Sequence, residues 1–152
     1  MQVWRLVKTR YVSSAFDGEG ARLYGARWNS PGTRVAYASM NSALAVLEVL
    51  AHMTAAAALP GYSLVTATLP DELVEDLPES VLPSDWSASP VPPAAQAIGD
   101  AWVRSTRSLA LRVPSVIVRG SFNVLINPAH PDFWQFVVDS VEPFHFDPRL
   151  LR

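Results

Sequence analysis

Apolar and polar positions change period several times along the chain, and each change marks an element. Residues 2–7, QVWRLV, alternate at the period of a strand, with Val3 against Trp4 and Arg5 against Leu6. Residues 8–33 lose any period and are punctuated by Gly18, Gly20, Gly25, Pro31 and Gly32, so they read as one long irregular stretch. A loop of that length inside a compact domain is usually functional or disordered. Its aromatic residues, Tyr11, Phe16, Tyr24 and Trp28, argue for order. RVAYAS, 34–39, then predicts a short strand, and MNSALAVLEVLAHM, 40–53, predicts a helix capped by Ser39 or Asn41. Leu44, Leu47, Leu50 and Ala51 form its core stripe, and its sparse polar surface implies burial on most sides.

The second half continues with YSLVTATL, 62–69, a strand by its β-branched content. It follows the Ala-rich TAAAAL at 54–59 and a turn at Pro60. Residues 70–93 carry Pro70, Pro78, Pro83, Pro90, Pro92 and Pro93 and read as loop and short turns. Residues 93–108 predict a helix with Ile98, Trp102 and Thr106 near one face. LALRVPSVIV, 109–118, is strand-like, and Pro114 forces an edge or a bulge there. FNVLINP and FWQFVVDSVEPF are further strand candidates. No internal repeat is present. Strands and helices do not alternate as a doubly wound sheet requires, so the fold class is α+β with a mixed or antiparallel sheet.

Composition narrows the function. The chain has 152 residues, enough for one domain with its own core, and 17% charged against 49% hydrophobic residues excludes a disordered chain. A formal net charge of −2 argues against general nucleic-acid binding but leaves room for a local basic pocket. There is no cysteine, which excludes disulfides, thiolate catalysis and thiolate-bound zinc. The start, MQVWRLVKTR, lacks a signal-peptide pattern, and no apolar run reaches the ~18 residues of a membrane span. A cytoplasmic protein is the expectation.

The candidate chemistry lies in a few residues. Arg27, between Gly25 and an N-S-P-G turn, reads either as a guanidinium fork for a phosphate or carboxylate, or as a surface arginine stacked on Trp28. Arg5 in a strand calls for an internal anion, for Glu48, or for an outward position. Glu48 is surrounded by aliphatic residues in AVLEVL. A carboxylate there needs partners, so it is either a structural ion pair with Arg5, Arg27 or His52, or a reacting group. Tyr37 is an aromatic platform or a core strand residue. Ser115, after Pro114, can bind a ligand, but no G-x-S-x-G elbow surrounds it. Asn123, Asn127 and His130 read as turn and cap residues. His52, His130 and His145 lack metal-ligand spacing, and neither a Walker loop nor a G-x-G-x-x-G occurs.

Six segments in order, VWRL, GARWNSPGTRVAYAS, ALAVLEVLAHM, IGDAWVRS, LRVPSVIV and NVLINPAHPDF, resemble the RES-domain family over almost the whole chain. The family's arginine, glutamate and serine fall on Arg27, Glu48 and Ser115, with Ser121 close enough to compete for the serine. The early arginine falls on Arg5 and the strand tyrosine on Tyr37. The resemblance implies one domain over 1–152 with a fold like ADP-ribosyltransferase toxins, two packed sheets around an NAD cleft. It implies a toxin of a bacterial toxin–antitoxin pair that cleaves the nicotinamide–ribose bond of NAD, with water, phosphate or a protein side chain as acceptor. Glu48, Arg27 and Ser115 are then the catalytic set, Arg5, Arg27, Tyr37, Ser115 and Asn123 bind NAD, and no metal takes part. The implied partner is a helical DNA-binding antitoxin that covers the cleft, and neither nucleic acid nor membrane is contacted directly. The rival reading is a non-catalytic binding module in which Glu48 neutralises Arg5 and Arg27.

Overall fold

The computed structural model describes residues 1–54 and 61–151. The Ala-rich run from residue 55 and Pro60 lie outside the described residues. Among these residues the strands and α-helices follow in the order β1 (Gln2–Lys8), α1 (Glu19–Tyr24), β2 (Ala36–Ser39), α2 (Ser42–His52), β3 (Tyr62–Thr68), β4 (Val74–Asp76), α3 (Pro93–Ser105), β5 (Ala110–Pro114), β6 (Phe122–Ile126) and β7 (Val137–Phe144). The strands form a seven-stranded sheet in the order β4-β5-β6-β2-β1-β3-β7, with β4 and β5 parallel and the other pairs antiparallel. The fold is therefore α+β with a mixed sheet.

Two packed sheets were the expectation, and the described strands instead run as one hydrogen-bonded order. The joint in that order is thin. β1 pairs with β3 along its whole length, from Gln2↔Thr68 to Lys8↔Tyr62, and β2 pairs with β6 from Ala36↔Ile126 to Ser39↔Asn123. Between β1 and β2 the register holds a single pair, Trp4↔Ser39. The sheet is thus two leaves that meet at one rung and splay apart beside it. The apolar packing crosses that joint. Val3, Val7, Phe16, Val65 and Leu69 share one buried cluster with Ala36, Ala38, Ala110, Val124 and Ile126 of the other leaf, and Trp28, Val35, Trp102, Leu111 and Leu125 form another.

Several elements depart from the sequence pattern for local reasons. The stretch 8–33 is ordered by a 3₁₀ turn at Thr9–Ser14 and by α1, a helix too short to show a period. α2 takes Asn41 as its cap, whose Oδ1 accepts from the Leu44 N–H at 2.8 Å, so Ser39 is left free for other work. The expected apolar stripe of α2 does not form. Leu44 and Ala45 are buried, while Leu47 is 38% exposed and Ala51 is exposed, because α2 lies on β1 and β2 with little else over it. The proline-rich stretch 70–93 holds β4, which can pair parallel to β5 because Pro70 and Pro78 stand outside its three residues. α3 ends at Ser105, since Thr106 takes a left-handed φ of 50°, so Thr106 drops off the face it would have shared with Trp102. β5 ends at Pro114, beyond the last rung to β4 at Arg112, so the missing proline N–H leaves no gap in that ladder. Residues 133–135 form a 3₁₀ turn, and β7 begins only at Val137.

Candidate active site

The loop GARWNSPG is built around its asparagine and tryptophan. Asn29 is fully buried, and its Nδ2 donates to the carbonyls of Ala21 (2.9 Å), Ser30 (3.2 Å) and Thr33 (3.1 Å). Its Oδ1 accepts the Tyr37 hydroxyl at 2.7 Å. Trp28 is core, stacked on Trp86 with ring centroids 5.7 Å apart, rather than a platform beside Arg27. Helix α3 clamps the same loop. Gln96 donates to the Ala26 carbonyl at 3.1 Å, and Asp100 accepts from the Ser30 N–H at 3.0 Å and from the Ser30 hydroxyl. Gly99 lies so close that a Cβ there would stand 1.7 Å from the Trp28 carbonyl oxygen. Gly25 turns the chain at a φ of +69°. These contacts fix the backbone on both sides of Arg27.

Arg27 then reaches the proline-rich loop, where its Nη1 donates to the carbonyls of Trp86 (2.8 Å) and Ala88 (3.0 Å). Arg5 sits beside the splayed strands. Its Nη1 donates to the Tyr37 carbonyl at 3.1 Å, a side-chain bridge from β1 to β2 next to their single rung, and its Cζ lies 5.9 Å from the centre of the Phe16 ring. Among the described residues no carboxylate lies within ion-pair distance of Arg5 or Arg27. The ion pair of Glu48 with Arg5, Arg27 or His52 that the sequence left open is therefore not made. His52 instead sets its Nδ1 2.7 Å from the Glu48 backbone carbonyl. Burial lowers the Arg5 guanidinium from its ordinary value to about 10, against the opposing pull of Asp17 and Tyr37, and it stays a full cation at neutral pH.

Glu48 projects from α2 into a small polar network. Its Oε1 accepts the Ser115 hydroxyl at 3.1 Å and the Asn123 Nδ2 at 2.5 Å. No hydrogen bond engages Oε2 among the described residues. Ser115 is 5% exposed and fully committed, because its oxygen also accepts the N–H groups of Ile117 (3.1 Å) and Val118 (3.2 Å). The hydroxyl expected to meet a ligand donates here to Glu48. Ser121 meets the Ser115 N–H only through its own backbone carbonyl, at 2.9 Å. Asn123, which the sequence alone read as a turn or cap residue, stands in β6 with its Oδ1 accepting the Ser39 hydroxyl at 2.8 Å. Ser39 is the member of this network that the sequence did not single out, because its only visible signal was a helix cap. Tyr37 turns its hydroxyl to Asn29 and to the Trp28 N–H at 3.3 Å, and burial, before any other influence, raises its pKa well above the ordinary phenol value.

A cleft of about 770 Å³ opens between the leaves, lined by Arg5, Arg27, Tyr37, Ser39, Glu48 and Asn123 among others. That volume falls within the range of roughly 300–1,000 Å³ common to small-molecule sites. Lys8 and His52 also line it, whereas His130 is buried elsewhere, between the Thr106 carbonyl and the Asp132 N–H. Among the described residues no group of three or more His, Asp or Glu side chains is placed to hold a metal ion. No helix among them is long and apolar enough to cross a membrane.

The fold and the cleft define an α+β domain that places one hydrogen-bonded carboxylate in a cleft with two arginines that form no ion pair among the described residues. The chain belongs to the RES domain family, whose model matches residues 2–147. It is 38% identical to "Toxin Res" of Yersinia enterocolitica over 152 residues, covering 99% of both chains. It is 35% identical over 154 residues to the "Prs ADP-ribosylating toxin" of a Sphingobium species, covering 98% of this chain and 96% of that one. The solved M. tuberculosis MbcT–MbcA toxin–antitoxin complex contains a chain of the same fold, with a TM-score of 0.78 at 22% identity, covering 99% of this chain and 86% of that chain.

Proposed function

We propose that this chain is the toxin of a toxin–antitoxin pair and cleaves the nicotinamide–ribose bond of NAD. The observation that carries this reading is Glu48: among the described residues, one carboxylate oxygen is held by two donors, the other accepts no hydrogen bond, and the cleft arginines form no ion pair. Cleavage of that bond develops positive charge on the ribose, as in other glycosidic cleavages. The open Oε2 of Glu48 is suited to a ribose hydroxyl and to the oxocarbenium-like centre, where a fixed negative charge counts most. Nicotinamide leaves as a neutral group from a cationic ground state, so the leaving group requires no general acid. Arg27 and Arg5 take the pyrophosphate, and the ring of Tyr37, its hydroxyl tied away, offers a flat face to the nicotinamide. Ser115 acts on Glu48 and not on the ligand.

A binding module in which Glu48 neutralises the arginines is disfavoured by the missing ion pairs. The acceptor of ADP-ribose is water, phosphate or a protein side chain, and the name of the Sphingobium relative favours the last. The partner in this reading is a helical DNA-binding antitoxin, which restrains the enzyme by placing a carboxylate against Arg27 in a cytoplasm that holds NAD. The test is to incubate the pure protein with NAD and follow free nicotinamide, then to search treated lysate by mass spectrometry for ADP-ribosylated protein. Absence of nicotinamide release, with and without phosphate or lysate, overturns the reading.

A further inference from the structure

We propose that Ser39 is a positioning residue that locks the Asn123 amide and, through it, decides which oxygen of Glu48 meets the ligand. The inference rests on the reading of Glu48 as the reacting carboxylate. An ionised carboxylate only accepts hydrogen bonds, so the amide end facing Glu48 must be the Nδ2 donor. The Oδ1 end then faces back into the protein and needs a donor of its own. Ser39, 3% exposed, supplies it from 2.8 Å. Ser39 and Asn123 are direct cross-strand partners in the β2–β6 ladder, and Ser39 is also the rung to Trp4 of β1. The backbone at 39 is therefore held from both sides, and its hydroxyl has one task. An alanine there would keep both ladders and lose only the donor.

The second donor to Oε1, Ser115, stands just past the end of β5. Two donors on one oxygen, one from β6 and one from the segment after β5, fix the carboxylate plane and leave Oε2 directed to the cleft. Without Ser39 the Asn123 carbonyl is left unpaired in a half-buried site. The amide can then satisfy itself only by turning, which withdraws Nδ2 from Glu48.

Ser39→Ala is expected to lower kcat for nicotinamide release about tenfold, with KM nearly unchanged. Ser39→Thr keeps the hydroxyl and restores kcat. In an Asn123→Ala background, Ser39→Ala adds no further loss, because its effect passes through that amide. Nitrogen-15 spectra supply a readout free of activity: the Asn123 side-chain NH₂ exchanges slowly in the wild type and in Ser39→Thr, and rapidly in Ser39→Ala. Unchanged exchange in Ser39→Ala, or losses that add in the double variant, overturns the proposal. If the wild type releases no nicotinamide, the exchange measurement still decides whether the lock exists, and only the assigned reaction falls.

Discussion

The two walls of the cleft treat their charges in opposite ways. On the α2 wall, Glu48, Ser115, Asn123 and Ser39 spend their polar groups on one another, and a single carboxylate oxygen is left over. On the facing wall, the hydrogen bonds of Arg5 and Arg27 among the described residues go only to carbonyl oxygens, which orient a guanidinium without cancelling its charge. The first wall is preorganised: its hydrogen bonds are formed before any ligand arrives. The second holds its charge in reserve for a ligand. A carboxylate used to stabilise developing charge gains from being fixed, because no reorganisation is needed as the reaction proceeds. Cations that grip an anion gain from having no internal partner to give up.

Removing the charge of the fixed wall is expected to have the largest effect. Glu48→Gln keeps the shape of the side chain and should lower nicotinamide release by about 10²–10³-fold. Thermal unfolding within a few degrees of wild type would show that the loss is chemical. Wild-type turnover in the folded variant would make Glu48 structural. Next comes the support of the other wall. Gly99→Ala drives a methyl group into the Trp28 carbonyl, where backbone must move, at a cost of about 1–3 kcal/mol. Tm should fall by roughly 2–12 °C, and KM for NAD should rise as the loop carrying Arg27 shifts. A Tm equal to wild type would show that α3 does not clamp that loop.

Arg27→Lys sharpens the contrast between the walls. Lysine keeps the charge but lacks the planar fork, so it cannot face two carbonyls and an anion together. KM for NAD should rise about tenfold, as expected for one lost charged hydrogen bond, while kcat changes little. An unchanged KM would remove Arg27 from the binding set. The smallest effect lies outside the cleft, at Glu19. The hydrogen bond from Arg22, with the charges of Arg22 and Arg34, holds this exposed carboxyl down to about 2, from an ordinary value of 4.5. A lowered carboxyl contributes stability that is present above about 4.5 and is lost as pH falls toward about 2. The Tm difference between wild type and Glu19→Gln should therefore be small at pH 6 and vanish near pH 2. A difference independent of pH would assign the effect to packing.

The sequence was most informative where local pattern decides structure. β1, β3, β6 and α2 follow from alternation, β-branching and a 3.6-residue period, and the residues chosen for chemical type, Arg5, Arg27, Tyr37, Glu48, Ser115 and Asn123, come together at one cleft or in direct contact with its carboxylate. What escaped depends on partners distant in the chain. Ser39 gains its task only when β2 lies against β6 in the right register. Leu47 looks like core from its spacing, yet α2 has too few neighbours to bury it. Whether Glu48 pairs with Arg5 was open in sequence terms, because the answer depends on how far β1 and β2 diverge. α1 and β4 were too short to register against the glycines and prolines around them.

The single rung between β1 and β2 also shapes how the protein breathes. Amide protons of β1 that face β3 lie in a ladder running the whole strand, while the side facing β2 has one pair and a guanidinium. Local opening follows the weakest contiguous hydrogen bonding. Amides along the seam should therefore be labelled by deuterium long before those at the centres of β3 and β6. An anion bridging Arg5 and Arg27 would slow that labelling, so occupancy of the cleft could be read from protons that never touch the ligand.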